Sequence, residues 1–245
     1  MYENVIRKLK IAKKIVIFTG AGISTESGIP DFRSDKGLYS EDEFSGYEPE
    51  TILSRSFFQK FPDIFYRYYF SKIVHKDAKP NNGHLAIAAM ESDNREITVV
   101  TQNIDGLHTA ARSTNVLELH GSVHRNYCTK CGKKFNLDYV LRFKGEIPLC
   151  GYCNGIVRPD VTMYEEVLEQ EVLANAVSRL ADADFIFAIG SSLTVQPAAG
   201  LLSYFKGNDF AIINKQPTPY DKKADYVIRE SCGNVLVELA GGING

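Results

Sequence analysis

Apolar residues follow two rhythms along this chain, and the alternation between them predicts its elements. Val5, Ile6, Leu9 and Ala12 recur at helical spacing, so residues 2–12 read as an amphipathic helix. Residues 14–19, KIVIFT, are a β-branched and aromatic run that stops at Gly20, as a strand does when it feeds a tight turn. The same reading gives helices over 82–92 and 168–180 and strands over 97–100, 116–119, 184–189, 210–213 and 226–228. Strands alternating with helices predict an α/β fold on a doubly wound, mostly parallel, Rossmann-like sheet. Two stretches break the rhythm. Residues 51–75 carry Phe and Tyr at mixed spacing, with Pro62 as a helix start, and read as a small helical insertion whose aromatics are mostly core. Residues 34–49 are polar and contain Gly, which predicts a loop lying over the segment before it. No internal repeat or low-complexity segment interrupts this order.

Ligands of open α/β sheets collect beyond the carboxyl ends of the strands, so the polar residues there are the candidates for chemistry. The first such stretch, residues 20–33, reads GAGISTESGIPDFR. Gly20 and Gly22 lack a Cβ, so backbone N–H groups can approach phosphate oxygens, and Ser24 and Thr25 suit a helix start. The match to the dinucleotide fingerprint is imperfect, because Thr25 stands where Gly or Ala is wanted and no acidic strand end follows about twenty residues later. What strengthens it is the continuation into Asp31, Phe32 and Arg33. The strand at 97–100 delivers Gln102, Asn103, Ile104 and Asp105, and the strand at 116–119 delivers His120 and Gly121. A second turn of phosphate or ribose grade is Gly190-Ser191-Ser192, and later strands end at Asn214-Lys215 and near Cys232. His75, His84, His108 and His124 are read as structural, and His120 is set apart by its position.

Composition narrows the classes. The chain has 245 residues, 44% hydrophobic and 24% charged, enough for a substantial core in one large domain or a large and a small one. A net charge of −2 gives no general attraction to nucleic acid or to anionic membranes, so neither is an expected partner. The N-terminal residues lack an apolar leader and no apolar run is long enough to span a bilayer, which predicts a cytoplasmic protein. Four of the five cysteines form two CxxC pairs, Cys128/Cys131 and Cys150/Cys153. Together they satisfy tetrahedral Zn²⁺ with no position left for water, so the metal is expected to be structural, one per chain. The intervening lysines, Lys130, Lys133, Lys134 and Lys144, read as a solvated face. The expected division is residues 1–33, 76–123 and 156–245 in the nucleotide-binding sheet, 34–75 in the cofactor loop and helical insertion, and 124–155 in the zinc module.

GAGIS…SGIPDFR, TQNID, LHG, the paired CxxC motifs, GSSL and Ile213-Asn214 occur in one order over nearly the whole chain. That ordered set resembles the sirtuin family of NAD-dependent protein deacylases, and the bacterial members most. The resemblance implies attack of an acyl-lysine carbonyl oxygen on C1′ of the nicotinamide ribose, releasing nicotinamide, deacylated lysine and O-acyl-ADP-ribose. It implies His120 as general base and Asn103 as the residue orienting ribose and water. Gly20, Ala21, Gly22, Ser24, Thr25, Phe32, Arg33, Gln102, Ile104, Asp105, Gly190, Ser191, Ser192, Asn214, Lys215 and Cys232 are implied to surround NAD. Val161 and Glu165 are implied at the acyl-lysine peptide, and Tyr69 and Lys72 at the acyl group. Two departures stand out. Glu165 replaces a family glycine in a loop that pairs with substrate; a strand-like backbone without positive φ is expected there, with Glu165 and Glu166 casting a negative field beside the peptide. Tyr69 and Lys72 fall where members specialised for acidic acyl groups carry Tyr and Arg, and without the Arg fork ordinary deacetylation is the expected activity. Protein ADP-ribosylation and a non-enzymatic zinc-module binding protein are the alternatives.

Overall fold

The computed structural model describes residues 2–32, 34, 37–38, 44–92 and 94–244. Its strands are β1 (Lys14–Thr19), β2 (Glu96–Thr101), β3 (Val116–Glu118), β4 (Gly121–Cys128), β5 (Lys134–Asn136), β6 (Val157–Val161), β7 (Phe185–Ile189), β8 (Asp209–Ile213) and β9 (Tyr226–Ile228). Its α-helices are α1 (Tyr2–Ile11), α2 (Pro49–Ile52), α3 (Arg55–Lys60), α4 (Pro62–Tyr68), α5 (Asn82–Ala89), α6 (Leu107–Ala110), α7 (Leu137–Leu141), α8 (Gln170–Ala181) and α9 (Cys232–Asn244). Six strands pair in parallel in the order β3-β2-β1-β7-β8-β9. With β4 to β6 set aside, this is the strand order of a doubly wound dinucleotide fold. The chain reverses its winding between β1 and β7, where a crevice opens at the strands' carboxyl ends.

The strands read as unbroken apolar runs because both faces of the sheet are covered. In β1 only Lys14 is exposed. Side chains alternate between faces with period two. Ile15 and Ile17 pack with Val5 and Leu9 of α1, Ile87 of α5 and Leu236 and Leu239 of α9. Val16 and Phe18 face the other way, onto Ala176 and Leu180 of α8 and onto Leu201 and Leu202 of a 3-10 helix, Ala198–Tyr204. Each such side chain contributes about 1.5–3 kcal/mol of burial free energy. Helix α1 has Glu3 in its first turn and Lys8 and Lys10 in its last, charges that complement its dipole.

A second, antiparallel sheet has the order β5-β4-β6. The expected division placed residues 156–161 with the main sheet, but residues 157–161 pair with β4; the next strand of the parallel sheet is β7, where the run at 184–189 predicts it. The aromatic insertion does not pack on itself alone. Phe57, Phe58, Phe65, Tyr66, Tyr68 and Tyr69 share one core with Val123 of β4, Leu137 of α7 and Met163 beyond β6. Helical insertion and small sheet therefore form one lobe beside the main sheet. Gly121 begins β4 immediately after His120, at φ +77, and a Cβ there would stand 2.0 Å from the Asp160 carbonyl oxygen. No other residue fits the turn by which the chain leaves the main sheet.

Candidate active site

The crevice between β1 and β7 is built from two turns in contact. Gly22 donates its N–H to the Gly190 carbonyl at 2.7 Å, and Gly20 donates to Ile189 at 3.0 Å. The approach leaves no room for side chains: a Cβ on Gly22 would lie 2.7 Å from Gly190 Cα, and one on Gly190 2.3 Å from the Ile23 nitrogen. After Gly20 the chain runs as a 3-10 helix, Ala21–Ser27, ending at Gly28 with φ +82. Two residues hold it from behind. Asn81 donates Nδ2 to the Ile23 carbonyl (2.8 Å) and to Ser27 Oγ (2.9 Å), while its own Oδ1 caps α5; Glu26 Oε1 accepts the Gly233 N–H at 3.0 Å, at the start of α9.

A chain of polar side chains lines the crevice beyond β2. Asn103 Nδ2 donates to Ser24 Oγ (3.1 Å), which donates to Asp105 Oδ2 (2.7 Å), and Asp105 Oδ1 caps α6 through the Leu107 N–H (2.9 Å). Gln102 Nε2 donates to Ser191 Oγ at 2.9 Å, joining the end of β2 to the turn after β7. His120 is oriented by the same segment. Its Nδ1 lies 2.9 Å from the Gln102 carbonyl oxygen, which can only accept, so Nδ1 carries the proton and Nε2 keeps a lone pair. Burial holds the imidazole below the usual histidine range, partly offset by that carbonyl. Near neutral pH the ring is a neutral base with one nitrogen available.

In the small lobe the Cys128, Cys131, Cys150 and Cys153 sulphurs all lie within 4.8 Å of one another, with Cys128–Cys153 at 3.5 Å and Cys131–Cys150 at 3.8 Å. Tetrahedral Zn²⁺ with bonds of about 2.3 Å places its sulphurs about 3.8 Å apart. The four residues therefore fit zinc and fill its coordination, so the metal they would hold joins the ends of β4 and β6 and has no open position for chemistry.

The Sir2 family profile matches residues 20–197, the span from the first glycine turn to just past the second. The chain belongs to the Sir2 family. It is 51% identical to a NAD-dependent protein deacetylase of Clostridium acetobutylicum over 92% of both chains, and 48% identical to one of Clostridium tetani over 98% of this chain and 96% of that one. A solved structure from work on the mechanism and regulation of Sir2 enzymes superposes with a TM-score of 0.89 at 37% identity, covering 99% of this chain and 97% of its own. A Sir2 complex with p53 peptide and NAD⁺ superposes at 0.84 and 36%, covering 98% and 96%.

In this Sir2-family chain the residues read from the sequence fall into groups. Gly20, Gly22, Ser24, Gln102, Asn103, Asp105, His120, Gly190 and Ser191 meet around the crevice through the contacts above, and Ala21 opens the 3-10 helix between the two glycines. Thr25 bonds back to the Gly22 carbonyl (2.9 Å), and Ser192 Oγ lies 2.8 Å from Thr194 Oγ1. Asn214, Lys215 and Cys232 cluster at the ends of β8 and β9: Asn214 Nδ2 donates to the Gln216 carbonyl (2.8 Å) and Cys232 is buried under Ile213. Phe32 is half-buried, and Arg33 lies outside the described residues. Ile104 and Val161 border the aromatic core that contains Tyr69. Tyr69 is 1% exposed, stacked on Phe65 at 5.7 Å, with its hydroxyl unpaired among the described residues, whereas Lys72 is half-buried in the π-helical turn Tyr69–Ile73.

The reading of Glu165 needs correction. Its backbone is left-handed, φ +73, as a glycine's would be. Its carboxylate does not face a peptide freely: Oε2 accepts the Ser56 N–H and Oε1 the Ser56 hydroxyl, both at 2.9 Å. Glu166 is also occupied, in a two-pronged ion pair with the buried Arg158 (2.7 and 3.0 Å) and with the Met163 N–H (2.9 Å). These contacts keep the Glu166 carboxyl below the usual range against the opposing effect of burial. The expected negative field beside the substrate is thus largely spent within the protein. Sequence reasoning also missed Asn81, Glu26 and Arg158. Asn81 could have been found as a cap residue just before the helix expected at 82; the others act across more than a hundred residues or through a loop shape that no local pattern reveals.

Among the described residues no helix is long and apolar enough to cross a membrane.

Proposed function

We infer that this protein is a cytoplasmic, NAD-dependent deacetylase of protein lysine side chains. The observation that carries the reading is His120: a half-buried, neutral imidazole, fixed through Nδ1 and open at Nε2, beside a glycine cradle with no room for side chains. NAD, when bound, supplies the ribose whose bond to nicotinamide is broken and onto which the acyl group passes. The protein's part is to bind, orient and move a proton. Gly20, Gly22 and Gly190 spend their own N–H groups on Ile189, Gly190 and Ile213, so they hold the two turns together and, beside Ala21, form a wall free of Cβ atoms against which the phosphates lie. Ser191 and Ser192 contact ribose or phosphate, Asn214, Lys215 and Cys232 hold the adenosine, and Thr25 and Phe32 line the cofactor, Phe32 shielding the reactive half from water. Gln102 and Asn103 orient the ribose, while Ile104 and Asp105 hold the carboxamide. His120 Nε2 takes the proton from a ribose hydroxyl. Val161 and Glu165 belong to the peptide-facing loop, and Tyr69 with Lys72 to the inner wall of the acyl pocket. Cys128, Cys131, Cys150 and Cys153 hold zinc as a staple. One water, oriented by Asn103, is consumed as the acyl–nitrogen bond breaks, and the products are nicotinamide, free lysine and O-acetyl-ADP-ribose.

The named relatives support the activity, and the paired thiols in metal-ligand geometry support a reducing compartment. The test is nicotinamide release from NAD with and without an acetyl-lysine peptide. Release that needs the peptide, with one acetyl lost per nicotinamide, supports the reading. Release with label from NAD fixed on protein makes the chain an ADP-ribosyltransferase, and no release at all makes it a binding module.

A further inference from the structure

We propose that Glu165 is a positioning residue that tethers the peptide-facing loop, residues 161–166, to helix α3 of the helical insertion. The proposal rests on the deacetylase reading for what the loop faces, and on geometry alone for the tether. The loop leaves the catalytic end of the sheet directly, since the Thr162 N–H donates to the His120 carbonyl at 2.9 Å and Val161 is the register partner of Gly121. Its far end meets the insertion. Tyr164 exchanges backbone hydrogen bonds across the gap, donating to Leu53 and accepting from Arg55, both at 3.1 Å. Glu165 then turns left-handed, a conformation that side-chain-bearing residues avoid unless something holds them. What holds it is Ser56, the second residue of α3, whose N–H has no partner within its own helix and whose hydroxyl adds a second donor.

A glycine could adopt the same backbone and leave the loop free on that side. Glutamate adopts it and ties the loop to a helix that shares its core with Tyr69 and Met163. The acyl pocket and the peptide-facing loop are thereby held as one unit, and the order of the loop before substrate arrives is the quantity that Glu165 sets. Because its carboxylate is occupied, its effect on peptide affinity does not depend on the peptide's charge.

The test uses the full chain and three substitutions, Glu165→Gly, Glu165→Gln and Ser56→Ala. Amide hydrogen exchange without any substrate reads the tether. Binding and turnover of acetyl-lysine peptides with basic or acidic flanks read its consequence. Glu165→Gly suits φ +73 and should fold, yet exchange at Ser56 and over residues 162–166 should rise. Its peptide KM should rise about five-fold, the size of a solvent-exposed charged contact, equally for both peptides and with kcat within about two-fold. Ser56→Ala should give a smaller rise in the same direction, and Glu165→Gln, whose amide oxygen still accepts, should recover most of the loss. Unchanged exchange at Ser56 in Glu165→Gly overturns the tether. A KM rise confined to basic peptides, or a full effect of Glu165→Gly with none of Ser56→Ala, overturns positioning in favour of direct contact. If the exchange results hold while the wild type releases no nicotinamide with peptide, the deacetylase reading fails and the tether stands.

Discussion

Replacing Gly190 by alanine tests whether the contact between the two turns, rather than any one side chain, makes the crevice. The residue sits at φ +58, and a Cβ there would be 2.3 Å from the Ile23 nitrogen and 2.7 Å from the Gly22 carbonyl carbon. Ordinary contacts to a methyl carbon begin near 3.4 Å, so the turns must separate by about 1 Å. The left-handed backbone costs alanine roughly 1–2 kcal/mol and the overlap roughly 1–3 kcal/mol. The sum, about 2–5 kcal/mol, is a large part of a domain's typical 5–15 kcal/mol. A 1 Å misplacement also weakens positioned chemistry by about a hundred-fold. Urea unfolding followed by circular dichroism should therefore show a lower midpoint at unchanged slope, and kcat/KM for NAD should fall by about two orders of magnitude. Gly241→Ala is the matched control: it lies near the end of α9 with nothing within 4 Å of its added Cβ, and should stabilise by up to about 0.5 kcal/mol. If Gly190→Ala loses less than about 0.5 kcal/mol and keeps its NAD kinetics, the crevice does not depend on that contact and the reasoning is wrong.

Other outcomes follow from the same geometry. His120→Ala should lower kcat by about two to four orders of magnitude while NAD binding by calorimetry stays near wild type, because the imidazole moves a proton after the cofactor is seated; an activity within a few-fold of wild type would remove His120 from the role. Near-stoichiometric zinc is expected by metal analysis, and Cys150→Ser or chelation should lower the melting temperature sharply and release the lobe joined by β4 and β6; full activity after complete removal would refute a structural metal. Acid should destabilise the protein before its carboxylates titrate. His84 and His108 are buried with ring centroids 4.8 Å apart, and burial first, then the neighbouring His84, pushes His108 down to about 3; burial lowers His84 too. His108 stays neutral in the fold while the unfolded chain binds a proton below about 6.5, so its contribution to stability is complete above that pH and falls as pH drops, by about 1.4 kcal/mol per unit, and the lowered His84 acts in the same direction. Urea midpoints between pH 7.5 and 4.5 check this, and a slope unchanged in His108→Gln would refute it.

The main sheet was legible in the sequence because its strands are buried on both faces and so appear as unbroken apolar runs between Gly-rich turns. The glycine turns, the TQNID segment and His120 were legible for a related reason, since a doubly wound sheet puts its chemistry at strand ends. The thiol pairs were legible because metal geometry restricts their spacing locally. The small sheet was not: β4 to β6 are polar and irregular in sequence, and their pairing is decided by the zinc ligands and by an aromatic core drawn from residues seventy positions earlier. Glu165 marks the boundary most clearly. The sequence alone presented a charged residue where a family glycine belongs, and a charge near substrate was the natural reading. Only the folded chain brings Ser56 to that carboxylate, turns the backbone left-handed and converts a surface charge into a link between two elements, because the partners of a polar group are chosen by whichever donors tertiary packing leaves unsatisfied beside it.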